Sequence, residues 1–274
     1  MQDHDVRSKV MCVDSRSNTQ SKGAEIVFLS LPSEYSMADE WYEIVSDDHF
    51  WIKWRFEVLR RILPKDYTWG ETLEIGCGNG IVIKQIRNFY GCAIAGCDLS
   101  IEALRNVSPC FGPLYFYNIH QRRAEFEKKF STILLMDVLE HIKNPIHFLE
   151  SVNFHLKDSG RLIINVPAFQ FFYSAYDRIA GHVKRYNLHV LRKELDSSGF
   201  CIDTVTYWGI SMIPLLLMRK LIIRFYTRNQ IIKMGFKSPA YIVDLILQTL
   251  MKVELAFSQK YFIGTSLLAI VRKK

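Results

Sequence analysis

From residue 50 onward, short apolar runs alternate with amphipathic stretches, and the alternation predicts most of the elements. Residues 1–32 are polar and mixed, Ser15 to Ser21 most of all, and read as an extension with little core of its own. A helix is predicted after Asp47-Asp48, where Trp51, Trp54, Val58 and Ile62 form an apolar stripe that Pro64 ends. Strands are predicted at Thr72–Ile75, Cys92–Cys97, Leu114–Tyr117, Ser131–Met136, Arg161–Val166, Phe200–Tyr207 and Thr265–Val271. Between them, helices are predicted over about 80–90, stopped by Gly91, and over Ile101–Arg105, capped by Ser100. Another opens at Asn144-Pro145, buries Phe148, Leu149, Val152 and Leu156, and closes before Gly160. A further one spans Leu188–Ser197 and stops at Gly199. Such alternation argues for an open parallel sheet with helices on both faces, whose ligands bind beyond the carboxyl ends of the strands. Four polar or glycine positions fall there: Gly76, Asp98, Asn118 and Asp137.

The first of those ends is the most informative. Leu73-Glu74-Ile75-Gly76-Cys77-Gly78-Asn79-Gly80 carries glycine at three alternate positions where strand becomes helix. Glycine permits positive φ and close approach of a ligand to the backbone, and the helix behind presents free N–H groups and its positive end. The G-x-G-x-G spacing differs from the G-x-G-x-x-G of dinucleotide binding and from the phosphate-cradling G-x-x-x-x-G-K-[ST].

Composition changes this picture in two ways. With 49% hydrophobic residues in 274, the chain can bury the core of one sizeable α/β domain with an elaboration. The net charge of +7 is unevenly placed: residues 209–274 hold eleven Lys/Arg against Asp244 and Glu254, a local +9, and the remainder is about −2. A basic tail of this kind points to an anionic partner such as a membrane surface. The six cysteines form no C-x-x-C pair and no zinc spacing with histidine, and they read as reduced thiols of a cytosolic protein. The N-terminus lacks the apolar core of a signal peptide, and no stretch is apolar for the length of a spanning helix.

With these residues in place, the chain resembles the class I S-adenosylmethionine-dependent methyltransferases over roughly 47–208 plus the final strand. The glycine segment matches the family's first motif, Asp98 in Cys97-Asp98-Leu99-Ser100 its ribose-binding acid, and Met136-Asp137-Val138-Leu139-Glu140-His141 and Ile164-Asn165-Val166-Pro167 its next strand ends. The resemblance implies an α/β, Rossmann-like open sheet, mostly parallel, of seven strands with the last antiparallel. It divides the chain into an N-terminal extension, 1–46, and a methyltransferase domain, 47–274, with a helical insertion at 209–260. It implies S-adenosyl-L-methionine as cofactor, held by Glu74, Gly76, Cys77, Gly78, Asn79, Gly80, Asp98, Leu99, Asn118, Ile119, Met136, Asp137 and Val138. The physical fit is good: this cofactor has no phosphates and needs no lysine in the loop, and Asp98 offers two acceptor oxygens to a ribose diol. Asn118 departs from the acid common after the third strand, and Ser131 stands where many relatives have Asp.

On the acceptor side, His49-Phe50-Trp51 with Trp54-Arg55, and Asp177 with Gly181-His182-Val183-Lys184-Arg185-Tyr186, resemble a subgroup that modifies cell-envelope lipids and sugars. That makes Trp51, Arg55, Arg185 and Tyr186 candidate substrate residues, and a small-molecule, lipid or lipid-linked sugar the expected acceptor, with O-methylation favoured. Transfer to a hydroxyl requires a proton acceptor. His182 is the first candidate because Asp177, Arg185 and Tyr186 cluster with it, and His141 is the second. The bland reading of Asp177 and Arg185 is an ion pair holding a loop, and that of Trp51 and Trp54 is core. Glu140-His141 alone suggests metal, but no further ligand at suitable spacing appears, so none is expected.

An NAD(P)-dependent oxidoreductase would want the third glycine one position later and a second βαβ half. A non-catalytic adaptor would not need Asp98 and the glycines. A nucleic-acid methyltransferase would want an Asn/Asp-Pro-Pro-aromatic tetrad after the fourth strand. In the insertion, a helix over about Ile213–Thr227 sets Leu217, Leu221 and Phe225 in a stripe flanked by Lys220, Arg224 and Arg228, and a second opens at Ser238-Pro239. The pair is expected to cap the acceptor pocket and to dock on the inner face of an anionic membrane.

Overall fold

A computed structural model describes residues 25–31, 48–108, 112–227, 230–231, 241–257 and 262–274. Its strands are β1 (Ile26–Phe28), β2 (Thr72–Ile75), β3 (Ala95–Asp98), β4 (Leu114–Phe116), β5 (Phe130–Met136), β6 (Leu156–Pro167), β7 (Phe200–Trp208) and β8 (Ser266–Lys273). The helices are α1 (Phe50–Ile62), α2 (Ile81–Tyr90), α3 (Ile101–Arg105), α4 (Pro145–His155), α5 (Ala175–Ile179), α6 (Leu188–Ser197), α7 (Ile213–Ile222) and α8 (Tyr241–Phe257).

One sheet joins all the strands in the order β1-β4-β3-β2-β5-β6-β8-β7, and β8 alone runs against its neighbours. The order reverses at β2, with β3 on one side and β5 on the other, which opens a crevice beyond their carboxyl ends. Side chains alternate across the sheet as the strand period requires. Leu73, Ile75, Ile133 and Leu135 join one core with Leu149 and Val152 of α4 and Leu191 of α6. Leu134, Met136 and Ile163 join the other with Trp54 and Leu59 of α1, Ile83 and Ile86 of α2, and Leu247 and Met251 of α8.

Eight strands replace the expected seven. The extra one, β1, lies in the segment read as an extension and pairs in parallel with β4. Ser30 follows it, and its Oγ accepts the Asn118 N–H at 2.8 Å, so this segment buttresses the end of β4. Cys92 to Ile94 fall outside β3, because the partner β4 begins at Leu114, opposite Gly96. Leu156 remains buried but starts β6 instead of ending α4. His49, not an aspartate, caps α1, its Nδ1 accepting the Trp51 N–H at 3.3 Å.

In the insertion, α7 stops at Ile222 and a 3₁₀ turn, Ile223–Phe225, follows. The expected start of the second helix at Ser238-Pro239 lies outside the described residues, as do Ser15 to Ser21, Asp47, Cys12, Cys110 and Arg228. Glu254 of α8 fastens the insertion to the sheet. Its carboxylate accepts the N–H groups of Gly209 (2.7 Å), Ile210 (3.2 Å) and Ser211 (2.9 Å). Among the described residues no helix is long and apolar enough to cross a membrane.

Candidate active site

A cavity of about 900 Å³ lies beyond the carboxyl ends of β2, β3 and β5. Its first wall is the glycine turn. Gly76, Gly78 and Gly80 take φ of 70°, 53° and 77°, left-handed conformations that glycine adopts without strain. Gly76 is also required by space, since a Cβ there would fall 2.6 Å from Val138. The turn is tied to β3 through Asp98, which accepts the Gly78 N–H on Oδ2 and the Ser100 N–H on Oδ1, both at 2.8 Å. A carboxylate presents two acceptor oxygens, the chemistry that a diol requires. Asn118 Oδ1 accepts the His120 N–H at 3.1 Å, which leaves Nδ2 as the donor it offers the cavity.

Glu74 is buried at the base of this wall, and its Oε2 has no hydrogen-bond partner among the described residues. Burial pushes its carboxyl up to about 8, against the pull of Arg55 and with Asp98 adding repulsion. An orphaned buried oxygen on a cavity wall is the feature a cationic ligand group would satisfy. Leu99, Ile119, Met136, Asp137, Val138, Cys77 and Asn79 also line the cavity. Gly80 does not. A Cβ there would sit 2.7 Å from Val107, so its glycine serves the packing of α2 behind the turn.

Asp137 closes the floor. It accepts Arg55 Nη1 on Oδ2 and Asn165 Nδ2 on Oδ1, each at 2.5 Å, while Asn165 Oδ1 accepts Trp208 Nε1 at 2.9 Å. Arg55 is thereby a buried cavity residue. Trp51 is half-buried, lines the cavity and lies over Trp208 with centroids 4.4 Å apart; Trp54 is fully buried core.

The second wall comes from residues 174–186. Asp177 is fully buried and accepts four hydrogen bonds: Ser174 N–H (2.8 Å) and Oγ–H (3.0 Å) on Oδ2, Arg185 Nε (2.7 Å) and His182 Nδ1 (3.1 Å) on Oδ1. Burial pushes its carboxyl up, but the His182 hydrogen bond and the Arg185 guanidinium outweigh that and hold it well below the usual range. With Nδ1 committed to Asp177, His182 turns Nε2 toward Glu140, whose Oε1 is 3.9 Å away. The His141 ring stands edge-on to His182, centroids 4.8 Å apart, and burial with the neighbouring His182 pushes it down to about 4.

Two expected substrate residues change role here. Tyr186 is wholly buried in the core, its hydroxyl donating to Leu139 O at 3.3 Å, and it does not line the cavity. Arg185 lines the cavity, but its charge is spent on Asp177 in an ion pair buried on both sides. Sequence reasoning missed Glu140 as more than half a metal pair, and missed Tyr176 and Arg219. Arg219 reaches the cavity from α7, its guanidinium 4.1 Å from the centre of the Tyr176 ring. Glu140 was legible as an acid beside His141; Arg219 carried no signal beyond the basic tail. The fold also supplies the third metal donor that spacing did not, since donor atoms of Glu140, His141 and His182 lie within 4.8 Å of one another.

A methyltransferase domain matches residues 49–205, more than half of the chain. The chain belongs to that family. The methyltransferase is 29% identical over 105 residues to the ubiquinone biosynthesis O-methyltransferase of Glaesserella parasuis serovar 5, covering 35% of this chain and 44% of that protein. It is 28% identical over 100 residues to the mitochondrial one of Schizosaccharomyces pombe, covering 34% and 36%. The chain thus spans less than half the length of these curated relatives. An S-adenosylmethionine-dependent methyltransferase from Archaeoglobus fulgidus shares the fold with a TM-score of 0.51 at 16% identity, over 80% of this chain and 94% of that one. Phospholethanolamine N-methyltransferase 2 of Haemonchus contortus, solved with S-adenosylhomocysteine and phosphomonomethylethanolamine, does so with a TM-score of 0.52 at 18% identity, over 81% and 53%. For S-adenosylmethionine, the groups that would hold the carboxylate, ribose and ammonium are the glycine turn, Asp98 and the orphaned Glu74 oxygen in turn.

Proposed function

We propose that the protein transfers the methyl group of S-adenosylmethionine to a hydroxyl of a small-molecule, lipid or lipid-linked sugar acceptor, with His182 as the base. The cofactor, when bound, supplies a methyl group already activated on a sulfonium, so the protein's task is alignment and exclusion of water. The observation that carries the reading is the Asp177–His182 pair, whose His182 lines the same cavity as the glycine turn. Asp177 fixes Nδ1 as the donor and leaves the Nε2 lone pair for the acceptor's proton. The imidazolium that forms is held by Asp177, while Arg185 keeps that carboxylate ionised. His141, pushed down to about 4, is the weaker base. The relatives' names, both O-methyltransferases, support oxygen as the atom methylated.

His182→Ala is expected to lower methyl transfer to lipid and glycan extracts by roughly 10²–10⁴. Cofactor affinity, measured by calorimetry, should stay near wild type. Undiminished transfer with saturating acceptor would remove His182 from the chemistry.

A second reading follows from Glu140, whose two carboxylate oxygens are buried without a hydrogen-bond partner among the described residues. One carboxylate and two imidazoles are a donor set suited to a divalent cation that would acidify an acceptor hydroxyl. Elemental analysis of purified protein, and of Glu140→Gln, separates the readings: metal bound in stoichiometric amount and lost in the variant favours the second.

A further inference from the structure

We propose that the outer faces of α7 and α8 dock the protein on an anionic lipid membrane, with the acceptor cavity opening beside the docked face. Among the described residues, most large apolar side chains left exposed lie between 215 and 263. Phe225, Phe257 and Phe262 are 89%, 84% and 92% exposed. These helices do not lack a core. Leu247 and Met251 of α8 are buried in the core that α1 shares, and Glu254 binds the N–H groups at the start of the insertion. The same helix turns Ile242, Leu245 and Ile246 to solvent. Exposed apolar side chains in this number, on two helices that both pack on the Ile210–Met212 turn, mark an interaction face.

Charge decides what covers it. Arg224 and Lys252 are exposed beside Phe225 and Val253. Of the two acids in 209–274, Glu254 is buried on backbone N–H groups and Asp244 accepts Gln248 Nε2 at 2.5 Å. Arg272, Lys273 and Lys274 pair with Asp203, Asp158 and Asp196, so among the described residues the positive charge that these two helices and the turn after α7 turn to solvent is that of Arg224 and Lys252. A second copy would bring like charge against like, whereas an anionic bilayer offers both the apolar depth and the opposite sign. Neither helix is long and apolar enough to cross a membrane, which leaves lying in its surface.

The docked face and the cavity share α7. Met212, Leu215, Leu216 and Arg219 line the cavity, and Leu215 is also exposed, so it stands at the mouth. An acceptor with an apolar tail can pass from the bilayer along α7 with its polar end reaching Arg219 and His182. This entry route rests on the reading of the cavity as an acceptor site; the docking does not.

The test is sedimentation of the full chain with phosphatidylcholine vesicles, with and without phosphatidylglycerol, at low and high salt. Cofactor affinity of every variant, measured by calorimetry, serves as the check of folding. At low salt, partitioning should favour the anionic vesicles by about tenfold or more and fall as salt rises. Arg224→Glu with Lys252→Glu should remove most of that preference, and Phe225→Ser with Phe257→Ser should weaken binding to both vesicle types. Absence of vesicle binding at low salt, or equal binding to both types unchanged by the charge reversals, overturns the proposal. So does a concentration-dependent dimer that the Phe→Ser variant abolishes while no vesicle binds, which assigns the face to a second copy. Vesicle binding by a protein that binds no cofactor would instead sink the enzymatic reading and leave the docking intact.

Discussion

The two walls of the cavity are built differently. The wall proposed for the cofactor is made largely of backbone: the left-handed Gly76 and Gly78, an N–H group aimed at Asp98, and residues contiguous in sequence from Glu74 to Asn79. The acceptor wall is made of buried side-chain charge, drawn from α1, the end of β5, the 174–186 segment and α7. A ligand that never changes can be held by main chain, whose geometry a short motif specifies. A ligand that differs between relatives is met by side chains, and their partners come from wherever the fold brings them.

The sharpest way to break this contrast is Arg185→Ala. Removing one partner of a buried ion pair leaves Asp177 uncompensated, at a cost of about 3–5 kcal/mol. Thermal unfolding should show that loss, and transfer should fall. Cofactor affinity per folded molecule should hold, if the walls are separable. Asp98→Ala is the converse. It deletes the acceptor of two backbone N–H groups and the proposed ribose ligand together, so calorimetry should find the cofactor bound roughly 10–10² times more weakly. A loss confined to acceptor turnover would contradict the division.

A smaller effect is expected in the pH dependence set by Glu74. Its carboxyl, near 4.5 when exposed, rises to about 8 when buried, so between those values the folded chain holds a proton that the unfolded chain has released. Stability from this group therefore falls as pH rises through that window. Pairing with the cofactor ammonium needs the carboxylate, so binding should release a proton below about pH 8 and tighten toward it. Glu74→Gln should abolish the proton release seen by titration in buffers of different ionisation enthalpy. The least effect belongs to Tyr186→Phe. Losing one hydrogen bond to Leu139 O should cost about 1 kcal/mol in stability and leave the KM for acceptor unchanged, as suits a core residue.

The same contrast explains what could be read from the sequence. Strand ends at Gly76, Asp98, Asn118 and Asp137 all line the cavity, because period and turn chemistry are local properties. The strand Ile26–Phe28 escaped, since three residues give too short an alternation to see and its pairing with β4 is a tertiary fact. Tyr186 reads as a neighbour of His182 in sequence, but the parallel bridge between Ala168 and Tyr186 turns its ring into the core. Gly80 matches the motif, yet Val107, a residue no motif mentions, is what demands it. Glu140 and His182 are 42 positions apart and meet through tertiary contacts such as the Val183 N–H donating to the Glu140 carbonyl at 2.7 Å.

One feature of the sheet also orders events in time. β8 lies later in the chain than both of its neighbours and inserts between them, pairing with β6 from Arg161 to Pro167 and with β7 from Phe200 to Trp208. During synthesis β7 has no partner strand until residues 266–273 emerge. The helices Ile213–Ile222 and Tyr241–Phe257, which lie between them, have no completed sheet to settle on before then. The glycine turn and its three central strands can close early, from contacts near in sequence. Arg219 and the two helices of the insertion are therefore settled last, after the residues of the glycine turn have long been made.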